Sequence, residues 1–281
     1  MQARAIAERA WPGRVLDVEP LGGGITNHNF KVSVDGEAYV VRIGGERTEL
    51  LGIDRHAEEE AARAAAAEGV GPEVVAFIDG SLITRFVPGE PVADMREPAT
   101  LREVAALLRR VHDGPPFPAR FDSFRVVEAY RDTAAKHGVL ASGYAAAKET
   151  AVSIERRLGP QPARPCHNDL LAANFIRSPD GIRIVDWEYA GMGDRFFDLA
   201  NLAVNNELGP DGEAELLAAY GEGDSAHLAL MRFMSDFREA MWGVVQQAVS
   251  ELDFDFAGYA EQHFERLART AADPAFRRAL G

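Results

Sequence analysis

His167-Asn168-Asp169-Leu170-Leu171-Ala172-Ala173-Asn174, followed by Ile184-Val185-Asp186, is the stretch that decides how this chain reads. An Asp, an Asn five residues later and a second Asp closing an apolar run form the constellation that phosphoryl transfer needs. In that chemistry Asp169 orients an accepting hydroxyl and takes its proton. Asn174 and Asp186 hold the magnesium ions that bridge nucleotide phosphates. A polar loop with local Asx hydrogen bonds would also contain such residues. The apolar flanks and the position of Asp186 at a strand exit favour the chemical reading. His167 reads as a residue that shapes the loop through hydrogen bonds. A metal hydrolase built on it lacks a His-rich ligand set.

Working outward, residues 15–19, 25–34, 39–43, 74–78 and 81–87 read as strands. Asp35-Gly36 and Asp79-Gly80 mark hairpins. Asp54 to Glu68 is rich in Ala and Glu, with Asp54 as N-cap and Gly69 beyond the end, so it reads as a helix. Pro88-Gly89-Glu90-Pro91 is the candidate boundary. After it the periodicity is helical: Leu101, Val104, Leu108 and Val111 share a face. Residues 124–136 and 144–158 are further helices. Leu230, Met234, Phe237, Met241, Val244 and Ala248 mark a long one. Short strands are expected at 164–167, 174–177 and 182–185. The expectation is an α+β chain of two lobes, a β-rich lobe over 1–87 and a mainly helical lobe over 88–281, in a protein-kinase-like arrangement.

Gly22-Gly23-Gly24-Ile25-Thr26-Asn27 lies between two strands. Its glycines let backbone N–H groups approach phosphates, and Thr26 and Asn27 add side-chain donors. It is not a Walker A sequence, because no Gly-Lys-Ser/Thr follows. Arg42, in Tyr39-Val40-Val41-Arg42-Ile43, stands where a kinase places a phosphate-binding Lys. Arg keeps the charge and adds a planar donor fork. Glu58 is its natural ion-pair partner, although spacing alone leaves Glu59 and Glu60 open. Trp242 flanks the apolar stripe of the long helix. It reads as core on its own, and as a cation-binding face if other groups converge on it.

The net charge of −14 argues against a nucleic-acid or anionic-membrane binder. Residues 186–255 hold 15 acids against 3 bases, a net −12 that suits a cationic substrate or a solvated acidic surface. No apolar run reaches the ~18 residues of a membrane span. The N-terminus lacks the apolar segment of a signal peptide. Cys166 is the only cysteine, which excludes an internal disulfide and fits a reducing cytoplasm.

Cys166-His167-Asn168-Asp169 through Asn174, then Asp186-Trp187-Glu188-Tyr189-Ala190-Gly191 and Phe197-Asp198-Leu199-Ala200-Asn201, resemble the choline/ethanolamine kinase family. The bacterial lipopolysaccharide-modifying choline kinases are the branch most alike, within the aminoglycoside-phosphotransferase group. Gly23-Gly24-Ile25-Thr26-Asn27, Val41-Arg42-Ile43, Gly71-Pro72, Trp242-Gly243, Leu252-Asp253-Phe254 and Tyr259-Ala260 extend the likeness over nearly the whole chain. The resemblance implies ATP and Mg2+, with phosphates on Arg42 and with Glu58 as its partner. It implies adenine at the backbone of Arg85, Phe86 and Val87, and a small cationic alcohol, choline foremost, against Tyr189, Trp242 and Tyr259 with Glu188 nearby. Ethanolamine, another amino alcohol or an aminoglycoside are the other acceptors that suit an acidic cleft. A scaffold that binds nucleotide without turnover is the non-enzymatic alternative. Asp198 is implied as a buried support of the catalytic loop. Glu239 stands one turn before Trp242, where eukaryotic members often carry a second Trp.

Overall fold

The computed structural model describes residues 2–22, 27–45 and 47–281. The chain opens with helix α1 (Gln2–Ala10), then β1 (Leu16–Leu21), β2 (Asn27–Val34) and β3 (Glu37–Gly44). Helix α2 (Arg55–Ala67) and strands β4 (Val74–Ile78) and β5 (Ser81–Arg85) follow. The strands form one antiparallel sheet in the order β1-β2-β3-β5-β4. Asp35 and Asp79 adopt φ of 52° and 50°, and the glycines after them 86° and 75°. These are the left-handed pairs that a two-residue hairpin turn requires.

Strand alternation splits the sheet residues between two cores. Val32, Val34, Val41 and Ile83 pack with Ile6 and Ala7 of α1. Leu82 and Val74 join Ala61, Ala62 and Ala65 of α2 in the larger core. Arg42, adjacent to Val41, therefore turns away from α1 and meets Glu58 of α2. Asp54 caps α2 by accepting from the N–H groups of His56 and Ala57 at 2.9 and 3.2 Å. Helix α1 has no counterpart in the sequence expectation. It is short, and its buried face is only Ala3, Ile6 and Ala7.

The remainder is mostly helical. Strand β6 (Glu90–Pro91) pairs with β8 (Phe175–Ser178), which pairs with β9 (Gly181–Ile184). Strands β7 (Arg164–Cys166) and β10 (Gly191–Gly193) form a second ladder. Around them lie α3 (Pro98–His112), α4 (Ser123–Lys136), α5 (Tyr144–Leu158), α6 (Arg195–Asn205), α7 (Pro210–Tyr220), α8 (Ser225–Val249), α9 (Phe256–Ala272) and α10 (Pro274–Leu280). Helix α8 is buried on nearly every side over residues 227–246, the mark of a central helix. Asn174 was expected to begin a strand. It lies instead in a short 3-10 turn (Ala172–Asn174), and the strand starts at Phe175. The reason is local: the Asn174 side chain bonds back to its own loop.

Candidate active site

The loop between β7 and β8 is suspended from α6. The buried Asp198 carboxylate accepts the backbone N–H of His167 at 2.8 Å and of Asn168 at 2.7 Å. It also meets His112 Nε2 at 3.0 Å. One turn on, Asn201 Oδ1 accepts from the Leu170 N–H at 2.5 Å. Two side chains at helical spacing i, i+3 thus hold three amides of the loop, those of His167, Asn168 and Leu170. Asn168 has φ of 66° and Asp186 φ of 69°. Asn and Asp tolerate this region better than other L residues, yet it still costs on the order of 1–3 kcal/mol. Asn168 is held there by donating from Nδ2 to the Tyr189 carbonyl at 3.0 Å.

His167 Nε2 lies 2.9 Å from the Val185 carbonyl, so that nitrogen carries the proton and donates. Nδ1 accepts the Asp169 N–H at 3.2 Å. Burial lowers the His167 pKa, with Asp198 opposing. The imidazole is a neutral strut between the loop and the strand leading to Asp186.

Asn174 Nδ2 donates to the Asp169 carbonyl at 2.8 Å, which points its amide oxygen the other way. That oxygen and the Asp186 carboxylate are hard oxygen donors, the set magnesium prefers. Asp186 ion-pairs with Arg42. Arg42, 8 % exposed, also reaches Glu58 at 2.9 Å and Glu188 at 3.1 Å. Burial opposes its charge, but Asp186, Glu58 and Glu188 more than restore it, so the guanidinium stays charged. Arg55, the first residue of α2, completes the group. It contacts Glu58 at 2.7 Å, Glu188 at 3.1 Å and Asn27 at 3.1 Å. The sequence reading did not single out Arg55. Its signal was the i, i+3 spacing to Glu58.

Glu188 is not where the acceptor reading puts it. It sits with Arg42, Arg55 and Asn27, whose Nδ2 donates to it at 3.0 Å, on the phosphate side of the site. Tyr189, the residue after it, has other partners: its hydroxyl accepts from Trp242 and its ring lies against Arg238. The nucleotide expectations divide. Asn27, Arg42 and Glu58 converge. Gly23, Gly24 and Thr26 lie outside the described residues. The Arg85 and Phe86 amides donate to the Glu73 and Ala38 carbonyls at 2.8 and 3.0 Å. They are therefore engaged within the sheet, and the exposed Arg85 side chain pairs with Glu37 and Glu73. Of the three, Val87 keeps its amide free among the described residues.

On the other side of Asp169 is an aromatic group. Trp242 Nε1 donates to the Tyr189 hydroxyl at 3.2 Å. Trp242 stands edge-on to Tyr259 and Phe256, with centroids 5.6 and 5.7 Å apart. The Tyr259 hydroxyl donates to Glu239 at 2.7 Å. Tyr130 of α4 is buried beside this group and donates to the Leu51 carbonyl at 3.2 Å. A residue with no place in the sequence expectation sits at the centre: Arg238, which bonds Asp169 at 3.2 Å and Glu239 at 2.5 Å. Its signal was a base directly after Phe237 of the apolar stripe, where a buried charge must find a partner. Burial and Glu239 push the Asp169 pKa up to about 7, while Arg238 pulls against them.

A half-buried carboxylate between a cation-bound acidic pair and a set of aromatic rings can take a proton from a hydroxyl aimed at a phosphate. Comparison with known proteins agrees in kind. Residues 17–237 match the phosphotransferase enzyme family. Ethanolamine kinase 1 of Mus musculus is 25% identical over 311 residues, covering 91% of this chain and 84% of that protein. The crystal structure of a choline/ethanolamine kinase family protein from Mesorhizobium loti is 30% identical, with a TM-score of 0.83 over 99% of this chain and 97% of that one. Choline kinase LicA from Streptococcus pneumoniae, at 23% identity, shares the fold with a TM-score of 0.82 over 97% of this chain and 99% of that one.

Proposed function

From the premise that the chain belongs to the phosphotransferase enzyme family, with choline/ethanolamine kinases as its relatives, we propose that it transfers the γ-phosphate of ATP to the hydroxyl of a small cationic alcohol of the choline/ethanolamine class. The observation that carries this reading is the position of Asp169. Its carboxylate is bonded on the acceptor side by Arg238, and its backbone carbonyl is bonded by Asn174 of the metal pair. Residues 1–87 are proposed as the nucleotide side and 88–281 as the acceptor side. The expected location is the cytoplasm, where ATP is available. No helix among the described residues is long and apolar enough to cross a membrane.

In this reading the acceptor hydroxyl donates to the Asp169 carboxylate. As its oxygen attacks the γ-phosphorus in line, the bond to the bridging oxygen of ADP breaks and the proton passes to Asp169. Arg42, freed from Asp186 by the nucleotide, donates to phosphate oxygens while Glu58 keeps it oriented. The Asn174 amide oxygen and the Asp186 carboxylate would hold magnesium, which when bound would neutralise phosphate charge. Asp198 and Asn201 fix the loop so that Asp169 does not have to be repositioned during the reaction.

Glu239 favours ethanolamine as the second acceptor. A carboxylate beside Tyr259 can accept N–H bonds from a primary ammonium, which a quaternary one cannot donate. The test is coupled ADP release against choline, ethanolamine, other amino alcohols and aminoglycosides, compared by kcat/KM. Preference for a small amino alcohol supports the reading; exclusive turnover of an aminoglycoside, or ATP binding with no turnover, overturns it.

A further inference from the structure

Arg238 is 2 % exposed, one of the most buried charged side chains of the described chain. Its guanidinium carbon stands 4.4 Å from the centroid of the Tyr189 ring, within cation–π range. The same group bonds Glu239 and Asp169 through Nη1. Its Nε and Nη2 are buried and have no hydrogen-bond partner among the described residues. The face of Tyr189 and the carboxylate of Glu239 are the features that would attract an organic cation to this site. Both are already taken by a cation of the chain itself. Trp242 and Tyr259 close the same group from the side, Trp242 on the Tyr189 hydroxyl and Tyr259 on Glu239.

A guanidinium in this position has two effects. It cancels one of the two carboxylate charges that would pair with an ammonium, and it covers the aromatic face. Hydrogen bonds from Arg to carboxylate are directional, so the guanidinium is held more firmly than a diffuse trimethylammonium would be. An acceptor's cationic head must therefore compete for partners that are in use, while its hydroxyl still reaches Asp169.

We propose that Arg238 is a specificity-determining residue of the acceptor site: an internal cation on Tyr189 and Glu239 that suppresses the advantage a quaternary ammonium acceptor would otherwise have. This deepens the proposed reaction and rests on it. The acceptor class it selects is the alcohol whose binding does not depend on a cation–π cage. Ethanolamine, which can donate N–H bonds to Glu239 or Asp169 beside the guanidinium, belongs to that class.

The test compares choline with its uncharged carbon isostere, 3,3-dimethylbutan-1-ol, in the full chain at one pH. The measured quantity is the ratio of kcat/KM values for the two alcohols. This ratio cancels any change in Asp169 or in folding, because both substrates use the same base. The wild-type ratio is expected to be below about tenfold, since the cage is occupied. In Arg238→Met the ratio should rise at least about tenfold, mainly through a lower KM for choline, the scale of a desolvated cation–π contact. Arg238→Gln, which keeps amide donors for both carboxylates, should move the ratio the same way and serves if the Met variant does not fold. Arg125→Gln, in a surface cluster with Glu128 and Glu155, is the control and should leave the ratio alone. A wild-type ratio above about a hundredfold overturns the proposal without any variant, since it would exceed what one occupied cage allows. An unchanged ratio in active variants overturns it and leaves the amino-alcohol kinase reading standing. If neither wild type nor variant phosphorylates any amino alcohol while ATP still binds, both the proposal and the reading on which it rests fail.

Discussion

The side-chain amide of Asn174 donates to the backbone carbonyl of Asp169 at 2.8 Å, so the proposed metal ligand and the proposed base turn as one unit. Asn174→Ala removes both the loop bond and a ligand oxygen. Its apparent magnesium affinity should fall by about 10–100-fold, the usual cost of a lost ligand-shell contact, with kcat falling as well. Activity titrated against magnesium at saturating ATP checks this. An unchanged magnesium midpoint would remove Asn174 from the metal pair.

Arg42 links three carboxylates from two distant parts of the chain: Glu58 of α2, and Asp186 and Glu188 beyond β9. Arg42→Ala leaves Arg55 to pair with Glu58 and Glu188 and removes the ion pair of Asp186. Breaking such a buried group by removing one partner costs about 3–5 kcal/mol, and denaturant unfolding should show a loss of that order. Arg42→Lys keeps the charge but cannot fork between partners. It should recover part of the stability and still raise the KM for ATP. Equal stability of the Ala variant and wild type would contradict the assignment.

Asp198 accepts two adjacent backbone amides and touches no reacting group. Asp198→Ala leaves the His167 and Asn168 N–H groups buried without an acceptor. Each charge-assisted bond lost is worth about 1.5–3 kcal/mol. The expected outcome is a large drop in melting temperature together with a drop in kcat. A variant that keeps wild-type stability but loses activity would instead make Asp198 a direct participant.

The Asp169 pKa is raised to about 7 by burial first, with Glu239, Asp186 and Glu188 adding to it and Arg238 opposing. A base must be ionised to accept a proton. In the nucleotide-free enzyme the ionised fraction therefore falls as pH drops below about 7, and kcat/KM for the acceptor should lose about tenfold per pH unit there. It should level off above that. Glu239→Gln removes a neighbouring negative charge, so the acidic limb should move to lower pH. A limb that moves upward in that variant would refute the electrostatic account.

The sheet, α2 with its Asp54 cap, the hairpins and the long helix α8 were legible because each rests on local pattern: alternation, a cap, an Asp-Gly turn, or helical spacing. The loop holding Asp169 was legible for the same reason, since its chemistry is written in consecutive residues. What stayed hidden depends on the far ends of side chains. Glu188 and Tyr189 are neighbours in the chain, yet one meets Arg42 and Arg55 while the other lies under Arg238. The i, i+3 spacing of Arg55 to Glu58 and the place of Arg238 beside the apolar stripe were local hints, but their contacts with Glu188 and Asp169 form only when the elements pack. The backbone of Arg85, Phe86 and Val87 was expected to serve adenine. Of these groups, the Arg85 and Phe86 amides already donate to the Glu73 and Ala38 carbonyls, partners that the sheet topology sets.

The most direct test of the whole account is Asp169→Asn. The amide is close in size to the carboxylate but cannot take the proton. The variant should bind ATP within a few-fold of wild type by thermal shift or calorimetry, and its turnover of choline or ethanolamine should fall by about 100- to 10,000-fold, the span of a lost general base. Turnover near the wild-type level in a variant that binds ATP normally would contradict Asp169 as the base and with it the proposed reaction.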